Sequence, residues 1–250
     1  MQASIIIPCY NEAKRLLPAK IDVLLTDPRI KIIFVNDGSR DDTQILLKKL
    51  ADTYPERIEI IEFDKNKGKA EAVRKGLICA LGREAEVVGF SDADFATPPA
   101  EVLRLLDEIE RSNTTDIVLG SRVLLLGANI RRSPIRHFVG RIFATVASLA
   151  IGTPIYDTQC GAKLFRATDA LKAALSKPFS SRWSFDVELL CRLFGRLEST
   201  SSTNPTKAIE IPLHEWHDIG DSKLNLLSMA KSFAELLLIW ASAERYCRKS

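Results

Sequence analysis

Val87-Val88-Gly89-Phe90-Ser91-Asp92-Ala93-Asp94-Phe95-Ala96-Thr97-Pro98-Pro99 is the stretch on which the reading of this chain turns. A short apolar run bounded by turn formers reads as a buried strand. Strand side chains alternate with period two, so carboxylates at i and i+2 on the strand's end point the same way. Such a pair suits a hard divalent cation, Mg²⁺ or Mn²⁺, that also holds substrate phosphates. The competing reading is a solvated loop, because Asp is a common turn residue.

Two further segments repeat the pattern. Ser4-Ile5-Ile6-Ile7-Pro8 ends in Cys9-Tyr10-Asn11-Glu12, and Ile32-Ile33-Phe34-Val35 ends in Asn36-Asp37-Gly38-Ser39. Segments of helical character lie between these β-branched runs. That order predicts an α/β domain with a mostly parallel sheet flanked by crossover helices. Ligands in such sheets bind beyond the carboxyl ends of the strands, so the three polar clusters should converge on one crevice. Asn66-Lys67-Gly68-Lys69 precedes an Ala-rich helix, whose N-terminus favours anions. Lys69 there reads either as a charge beside a bound anion or as a solvated loop lysine. Gly120-Ser121-Arg122 closes another strand, and an arginine at that place can grip a phosphate with two parallel hydrogen bonds.

The chain has 250 residues, of which 46% are hydrophobic, enough to bury the core of one domain. A net charge of +3 gives no indication of nucleic acid. The five cysteines are scattered and lack CxxC spacing, which argues against a disulfide framework or zinc site and fits a reducing compartment. Strand-like residues begin at the first positions, where a signal peptide would show a charged stretch and an apolar core.

The segments IIIPCYNE, VNDGSRDDT, KNKGKAEAVRKG, SDADFATPP and GSR, in this order, resemble the inverting family 2 glycosyltransferases with a GT-A (Rossmann-like) fold. DTQCGAKLF, RWSFDVELL and GDSKL further resemble one branch, the polyprenyl-phosphate sugar synthases, above all the dolichyl-phosphate β-glucosyltransferases. The resemblance runs from about Ser4 to Leu224. It implies a single domain over 1–250, with a nucleotide-binding half at about 1–122 and an acceptor and interfacial half at about 123–250. It implies that Pro8, Tyr10, Asn11, Glu12, Asp37, Lys69 and Asp92 meet the nucleotide, with Asp37 accepting from the base. Asn36 stands where relatives often have Asp. Asp92 and Asp94 hold the Mg²⁺ or Mn²⁺, Asp94 as direct ligand. Arg122 receives the acceptor phosphate, with Arg131, Arg132 and Arg136 extending the cradle.

Asp157 is assigned to orientation or sugar binding, and a general-base role stays open. Lys163 pairs with Asp157 or reaches a phosphate. Trp183 and Asp186 line the sugar pocket, and Trp216 to Lys223 is a closing loop. None of the histidines His137, His214 and His217 is read as a metal ligand. Phe95-Ala96-Thr97 after the acid pair leans toward the glucosyl branch, hence a UDP-glucose donor and a polyprenyl phosphate acceptor. GDP-mannose is the alternative donor. A nucleotidyltransferase would carry a Gly-rich stretch after the first strand, and a non-catalytic binding protein would have lost the acid pair or Asp37.

No run of eighteen apolar residues is present, so no transmembrane helix is expected. Ile135–Ile151 and Leu224–Trp240 have helical length and amphipathic character. Each fits a helix packed on the core or one lying in the membrane interface. The resemblance favours the interface, with Arg131, Arg132, Arg136, His137 and Arg141 toward anionic lipid. The expected location is cytoplasmic and peripheral, on the cytoplasmic face of a membrane. The sequence is silent on oligomeric state.

Overall fold

The computed structural model describes residues 1–131, 134–197, 206–217 and 226–247, with the side chains of 131–137, 226–230 and 245–247 outside that description. Nine strands and eight helices follow in the order β1 (Ala3–Cys9), α1 (Pro18–Leu25), β2 (Ile30–Asn36), α2 (Thr43–Thr53), β3 (Ile58–Glu62), α3 (Lys69–Leu81), β4 (Val87–Ser91), α4 (Pro99–Arg111), β5 (Ile117–Ser121), β6 (Asn129–Arg131), α5 (Pro134–Ile151), β7 (Ala162–Arg166), α6 (Asp169–Leu175), α7 (Phe185–Leu193), β8 (Ala208–Pro212), β9 (Glu215–His217) and α8 (Leu226–Cys247), counted among the described residues. Proline opens α1, α4 and α5. Its missing N–H is an orphan at the first helical position in any case.

Seven strands form one sheet in the order β3-β2-β1-β4-β7-β5-β8. All run parallel except β7, which is antiparallel to β4 and β5. The central strands are buried on both faces, and their side chains divide by period two. Ile6, Ile33, Val35, Val88, Phe90, Leu119 and Phe165 enter one core, against α3, α5, α7 and α8. Ile5, Ile7, Ile32, Phe34, Val87, Val118 and Leu164 enter the other, against α1, α2 and α4. A slip of one residue in any of these strands would exchange the two sets, which is what fixes the register.

The chain steps from β1 outward to β2 and β3, then crosses back to place β4 on the other side of β1. That reversal opens a crevice at the carboxyl ends of β1 and β4. Because β7 runs the other way, its amino end meets the carboxyl end of β4, with Ser91 paired to Ala162. The segment before β7 therefore joins the crevice from the opposite direction. Both β7 and β8 lie in the same sheet as β1–β5, so the later half of the chain completes the domain rather than forming a separate body. A small second sheet pairs β6 with β9. Among the described residues, no helix is long and apolar enough to cross a membrane.

Helices α5 and α8 settle the two readings of the amphipathic stretches in part. Both pack on the core through one face: Phe143, Ala147, Ala150 and Ile151 on α5, and Leu236 and Ile239 on α8, are buried. Phe143 and Phe233 meet edge to face at 5.3 Å. Their other faces still expose Phe138, Ile142 and Leu149, and Leu237, Leu238 and Trp240.

Candidate active site

The first wall of the crevice comes from the ends of β1 and β2. Asn11 adopts φ of +53°, a conformation that Asn tolerates better than most residues. Its N–H donates to Ser39 Oγ at 3.0 Å, and its Oδ1 accepts from the Arg40 N–H at 2.8 Å. Asn11, expected at the nucleotide, ties two loops together through its amide and is not among the residues that line the cavity. Pro8, Tyr10 and Glu12 do line it. The Glu12 N–H donates to Thr43 Oγ1 at 2.8 Å, and its carboxylate accepts from Arg15.

Asp37 is buried and accepts the N–H groups of Lys67 at 2.6 Å and Gly68 at 2.9 Å. Burial pushes its carboxyl above the usual range, against the pull of those two amides. Gly38 follows with φ of +66°, and a Cβ there would stand 2.6 Å from the Lys65 carbonyl carbon. Only glycine allows both that conformation and that approach. Asp37 thus holds the 65–68 loop in place, and its oxygens retain further lone pairs on the cavity wall. Asn36, where relatives often have Asp, donates from Nδ2 to Gln44 at 2.7 Å and accepts the Ser39 N–H.

The acid pair forms the floor. The Asp92 N–H donates to the Gly161 carbonyl at 3.2 Å, and Asp94 Oδ1 accepts the Ala96 N–H at 3.1 Å. The turn requires φ of +50° at Phe95, and its side chain is anchored in the core. Lys69 Nζ lies 2.5 Å from Asp92 Oδ1, and Arg15 Nη1 lies 3.8 Å from Asp94 Oδ2. Lys69 therefore meets the acid pair directly, where the sequence placed it beside a diphosphate. Burial lowers the Lys69 ammonium's proton affinity, but Asp92, Asp186 and Asp94 together hold it above the ordinary value. Burial, and then the neighbouring Asp92 charge, push Asp94 upward.

Among the described residues no group of three or more His, Cys, Asp or Glu is placed to hold a metal ion. Two carboxylates on the wall of one cavity nonetheless fit a hard cation that completes its shell with water and phosphate oxygens. A bound divalent ion would also relieve the repulsion that raises Asp94.

Gly161 bears on this geometry. A Cβ at that position would sit 2.3 Å from Asp92 Oδ2, the far end of a side chain. Gly161→Ala is expected to leave the melting temperature within a few degrees of wild type while displacing the Asp92 carboxylate. Turnover and divalent-ion affinity should fall together by about tenfold or more, since small misplacements in a site are costly. Wild-type turnover in this variant would show that Asp92 need not hold its place.

The far wall pairs Arg122 with Asp157. Arg122 Nε and Nη2 donate to the two Asp157 oxygens at 2.6 and 2.7 Å, and the Arg122 backbone N–H donates to Oδ2 at 3.1 Å. The guanidinium lies 5.2 Å from the Trp216 ring centroid. Asp157 raises the proton affinity of Arg122 against the opposing effect of burial. Both Asp157 oxygens are engaged by that fork, which favours orientation over proton abstraction for Asp157. Glu210 on β8 fixes the same loop, accepting the N–H groups of Tyr156 at 2.6 Å and Asp157 at 2.8 Å. Arg141 donates to the Tyr156 carbonyl at 2.8 Å and stacks 3.7 Å from its ring centroid. Sequence reading missed Glu210 and Tyr156, because nothing local marks a strand glutamate or a loop tyrosine as part of a site.

The segments around β7 and the start of α7 form the remaining part of the wall. Lys163 corrects an expectation: its ammonium donates to Asp186 Oδ2 at 2.7 Å and to the Cys160 carbonyl, rather than pairing with Asp157. It is only 1% exposed, so it cannot reach a phosphate. The antiparallel course of β7 puts Lys163 under Phe90 and beside α7. Trp183 and Asp186 line the cavity as expected. Glu188 instead accepts from Ser180, Ser181 and Arg192 within its own neighbourhood. Asp186 Oδ1, Thr158 Oγ1 and Gln159 Nε2 are buried with no hydrogen-bond partner among the described residues. Such atoms in a cavity wall are available to a polar ligand.

Pro8, Tyr10, Glu12, Asp37, Lys69, Asp92, Asp94, Arg122, Asp157, Trp183 and Asp186 line one cavity of about 710 Å³, which also reaches Trp216. Arg132 and the closing loop from Asp218 to Lys223 lie outside the described residues, as do the side chains of Arg131 and Arg136. Trp216 and His217, at the start of that loop, form part of β9.

A family model described as glycosyl transferase family 2 matches residues 4–171. The chain is 32% identical to the dolichyl-phosphate β-glucosyltransferase of Saccharomyces cerevisiae, with 94% of this chain and 73% of that protein covered. It is 34% identical to a dolichyl-phosphate β-glucosyltransferase of Trichomonas vaginalis, covering 94% and 69%. Against the human dolichyl-phosphate β-glucosyltransferase the identity is 35%, covering 76% and 62%. Among solved structures, the glucosyl-3-phosphoglycerate synthase of Mycobacterium tuberculosis, in complex with Mn²⁺, UDP and glucosyl-3-phosphoglycerate, shares the fold at a TM-score of 0.67 and 17% identity, covering 97% and 79%. A mannosyltransferase from Pyrobaculum calidifontis, in complex with GDP-mannose and Mn²⁺, does so at 0.63 and 19%, covering 98% and 64%.

Proposed function

This chain belongs to glycosyl transferase family 2, and from that premise we propose that it is an inverting enzyme moving glucose from UDP-glucose onto a dolichyl-type polyprenyl phosphate. The observation that carries the reading is that Asp37, the Asp92–Asp94 pair and the Arg122–Asp157 pair line one cavity. Together they suit a base, a metal-bound diphosphate and an acceptor phosphate held in one crevice.

Asp37, with Pro8, Tyr10 and Glu12 around it, takes the uracil end; its carboxylate is the acceptor that a buried uracil N3–H needs. Asp92 and Asp94 hold the divalent ion, Mg²⁺ or Mn²⁺, which when bound neutralises the diphosphate as leaving group. Lys69 adds a positive charge beside it. Asp186 and Trp183 set the glucose ring, through sugar hydroxyls and an apolar face. An oxygen of the acceptor phosphate attacks the anomeric carbon from the face opposite UDP. The new C–O bond forms as the bond to UDP breaks, and UDP leaves with the electron pair. A phosphate monoester is largely ionised at neutral pH, so the step needs little proton abstraction. Asp157, held by Arg122, accordingly orients the guanidinium that meets the acceptor. Arg131, Arg132 and Arg136 extend that positive surface, and the nucleotide-binding and acceptor halves divide near residue 122.

We place the enzyme peripherally on the cytoplasmic face of a membrane, with the exposed faces of α5 and α8 in the interface. Phe138 is 68% exposed and Leu238 67%, unusual for large apolar side chains on helices so well packed on their other face. Leu124, Leu125 and Leu126, in the loop after β5, are also exposed. Sequence reading had not singled that loop out.

Incubation with UDP-glucose, a divalent cation and polyprenyl phosphate should yield UDP and lipid-linked glucose in equal amounts. Turnover only with GDP-mannose would move the donor to mannose. Consumption of a nucleoside triphosphate would indicate nucleotidyl transfer, and absence of turnover a binding protein. Vesicle binding should rise with anionic lipid and weaken with salt, each arginine near the surface contributing about 1 kcal/mol. Replacing Leu237, Leu238 and Trp240 with Ser should weaken vesicle binding and raise KM for lipid phosphate, while UDP affinity stays unchanged. Co-sedimentation that ignores both salt and these substitutions would remove α8 from the interface.

A further inference from the structure

The amino end of α7 carries the sugar end of the cavity, yet its own sequence does not cap it. Ser184 stands at the N-cap position and makes no side-chain cap. Its hydroxyl donates instead to the Ser232 carbonyl on α8 at 3.0 Å. Glu235, one turn further along α8, holds the segment that leads into α7. Its carboxylate accepts the N–H groups of Arg182 at 3.2 Å, Trp183 at 2.8 Å and Ser184 at 3.0 Å. Three consecutive amides on one carboxylate, just ahead of the helix, make a strong, directional hold. Glu235, with Lys231, interrupts the apolar run of α8, and this contact explains why a charge stands there.

Arg182, Trp183, Phe185 and Asp186, all within two residues of that hold, line the cavity. Asp186 is fixed from beneath by buried Lys163. Glu188 holds the backbone at Ser180 and Ser181, and α8 holds the next three residues, Arg182 to Ser184, from outside. The same helix buries Leu236 and Ile239 and exposes Leu237 and Leu238 beside Glu235. We infer that Glu235 is a positioning residue for the sugar end of the site: through three amides it sets Trp183 and Asp186, and it makes their placement depend on the docking of α8. The inference rests on the glucosyl-transfer reading for its kinetic consequence, but not for its structural one.

The test compares wild type with Glu235→Gln and Glu235→Ala. Gln keeps the shape but offers one oxygen where two are used, and turns an NH₂ group toward the amides. For both variants kcat/KM for UDP-glucose should fall about tenfold or more, as expected when a substrate-positioning group shifts. UDP affinity by calorimetry should stay within about twofold, because the residues proposed for the nucleotide lie at the β1, β2 and α3 ends. Amide hydrogen exchange at Arg182, Trp183 and Ser184 should speed up by about tenfold or more while β1 and β4 stay protected. Wild-type kinetics in Glu235→Gln, unchanged exchange at those amides, or a parallel loss of UDP affinity and melting temperature would each overturn the inference. A Gln variant that fails to fold would do the same, since Glu235 would then be a stability residue. If wild type itself does not turn over UDP-glucose, the proposed reaction fails, and exchange at 182–184 alone decides whether Glu235 holds the segment.

Discussion

Asp94→Asn is expected to lower kcat by on the order of 100- to 1000-fold, the loss typical when a preorganised electrostatic group is removed from a developing charge. The substitution changes one oxygen for nitrogen and keeps the Ala96 N–H bonded if the amide oxygen faces it. The fold should therefore survive, with a melting temperature equal to or slightly above wild type, because a carboxylate that burial and Asp92 both disfavour has been neutralised. Divalent-ion affinity should fall in the same variant. The discriminating measurement is turnover over a titration of Mg²⁺ and Mn²⁺. If high metal concentration leaves kcat low, the charge of Asp94 is needed in the step itself. Near-normal kcat at ordinary metal concentration would remove Asp94 from the metal site.

Arg122→Ala should have the largest effect on stability. Asp157 is buried and takes three donors from Arg122, so truncating the arginine leaves a buried carboxylate with its fork gone. Breaking such a pair costs about 3 kcal/mol or more. In a chain of this size that is a melting-temperature drop of roughly 10 °C. Arg122→Ala/Asp157→Ala should be less destabilised than the sum of the two single changes, because both single variants lose the same two-pronged contact. Arg122→Lys should keep much of the stability and lose acceptor turnover, since an ammonium cannot donate in parallel to a carboxylate while meeting a phosphate. Additive single and double variants by denaturant melts would show that the pair is a surface contact of little consequence.

Local pattern carried much of this protein. Three apolar runs with polar ends were enough to place β1, β2 and β4 and the crevice beyond them, because burial on both faces forces a continuous apolar strand. Pro8, Tyr10, Glu12, Asp37, Asp92, Asp94 and Arg122, which end or follow strands, line one cavity, as the strand-end rule implies, and Lys69, Asp157, Trp183 and Asp186, singled out by the family resemblance, line it too. The length of α5 was legible from its apolar spacing, whereas α8 runs on past Trp240, where its apolar stretch ended, to Cys247.

The partners of those residues were not legible, because they are set by contacts between segments far apart in the chain. Asn11 has the composition of a ligand-binding residue, yet its amide serves the neighbouring loop at Arg40. Lys163 sits six residues after Asp157, but an antiparallel β7 turns it to Asp186, twenty-three residues on. Glu210 and Glu235 carry no local mark of a role. One holds the loop that bears Asp157, and the other holds the turn that bears Trp183. Sequence alone thus determined which segments are strands and helices and which strand ends bear chemistry, since periodicity and turn residues are local properties. Only the tertiary structure decided which charge each carboxylate meets and which face of α5 and α8 is covered. Those outcomes depend on strand order and direction, which bring together groups that no spacing in the chain relates.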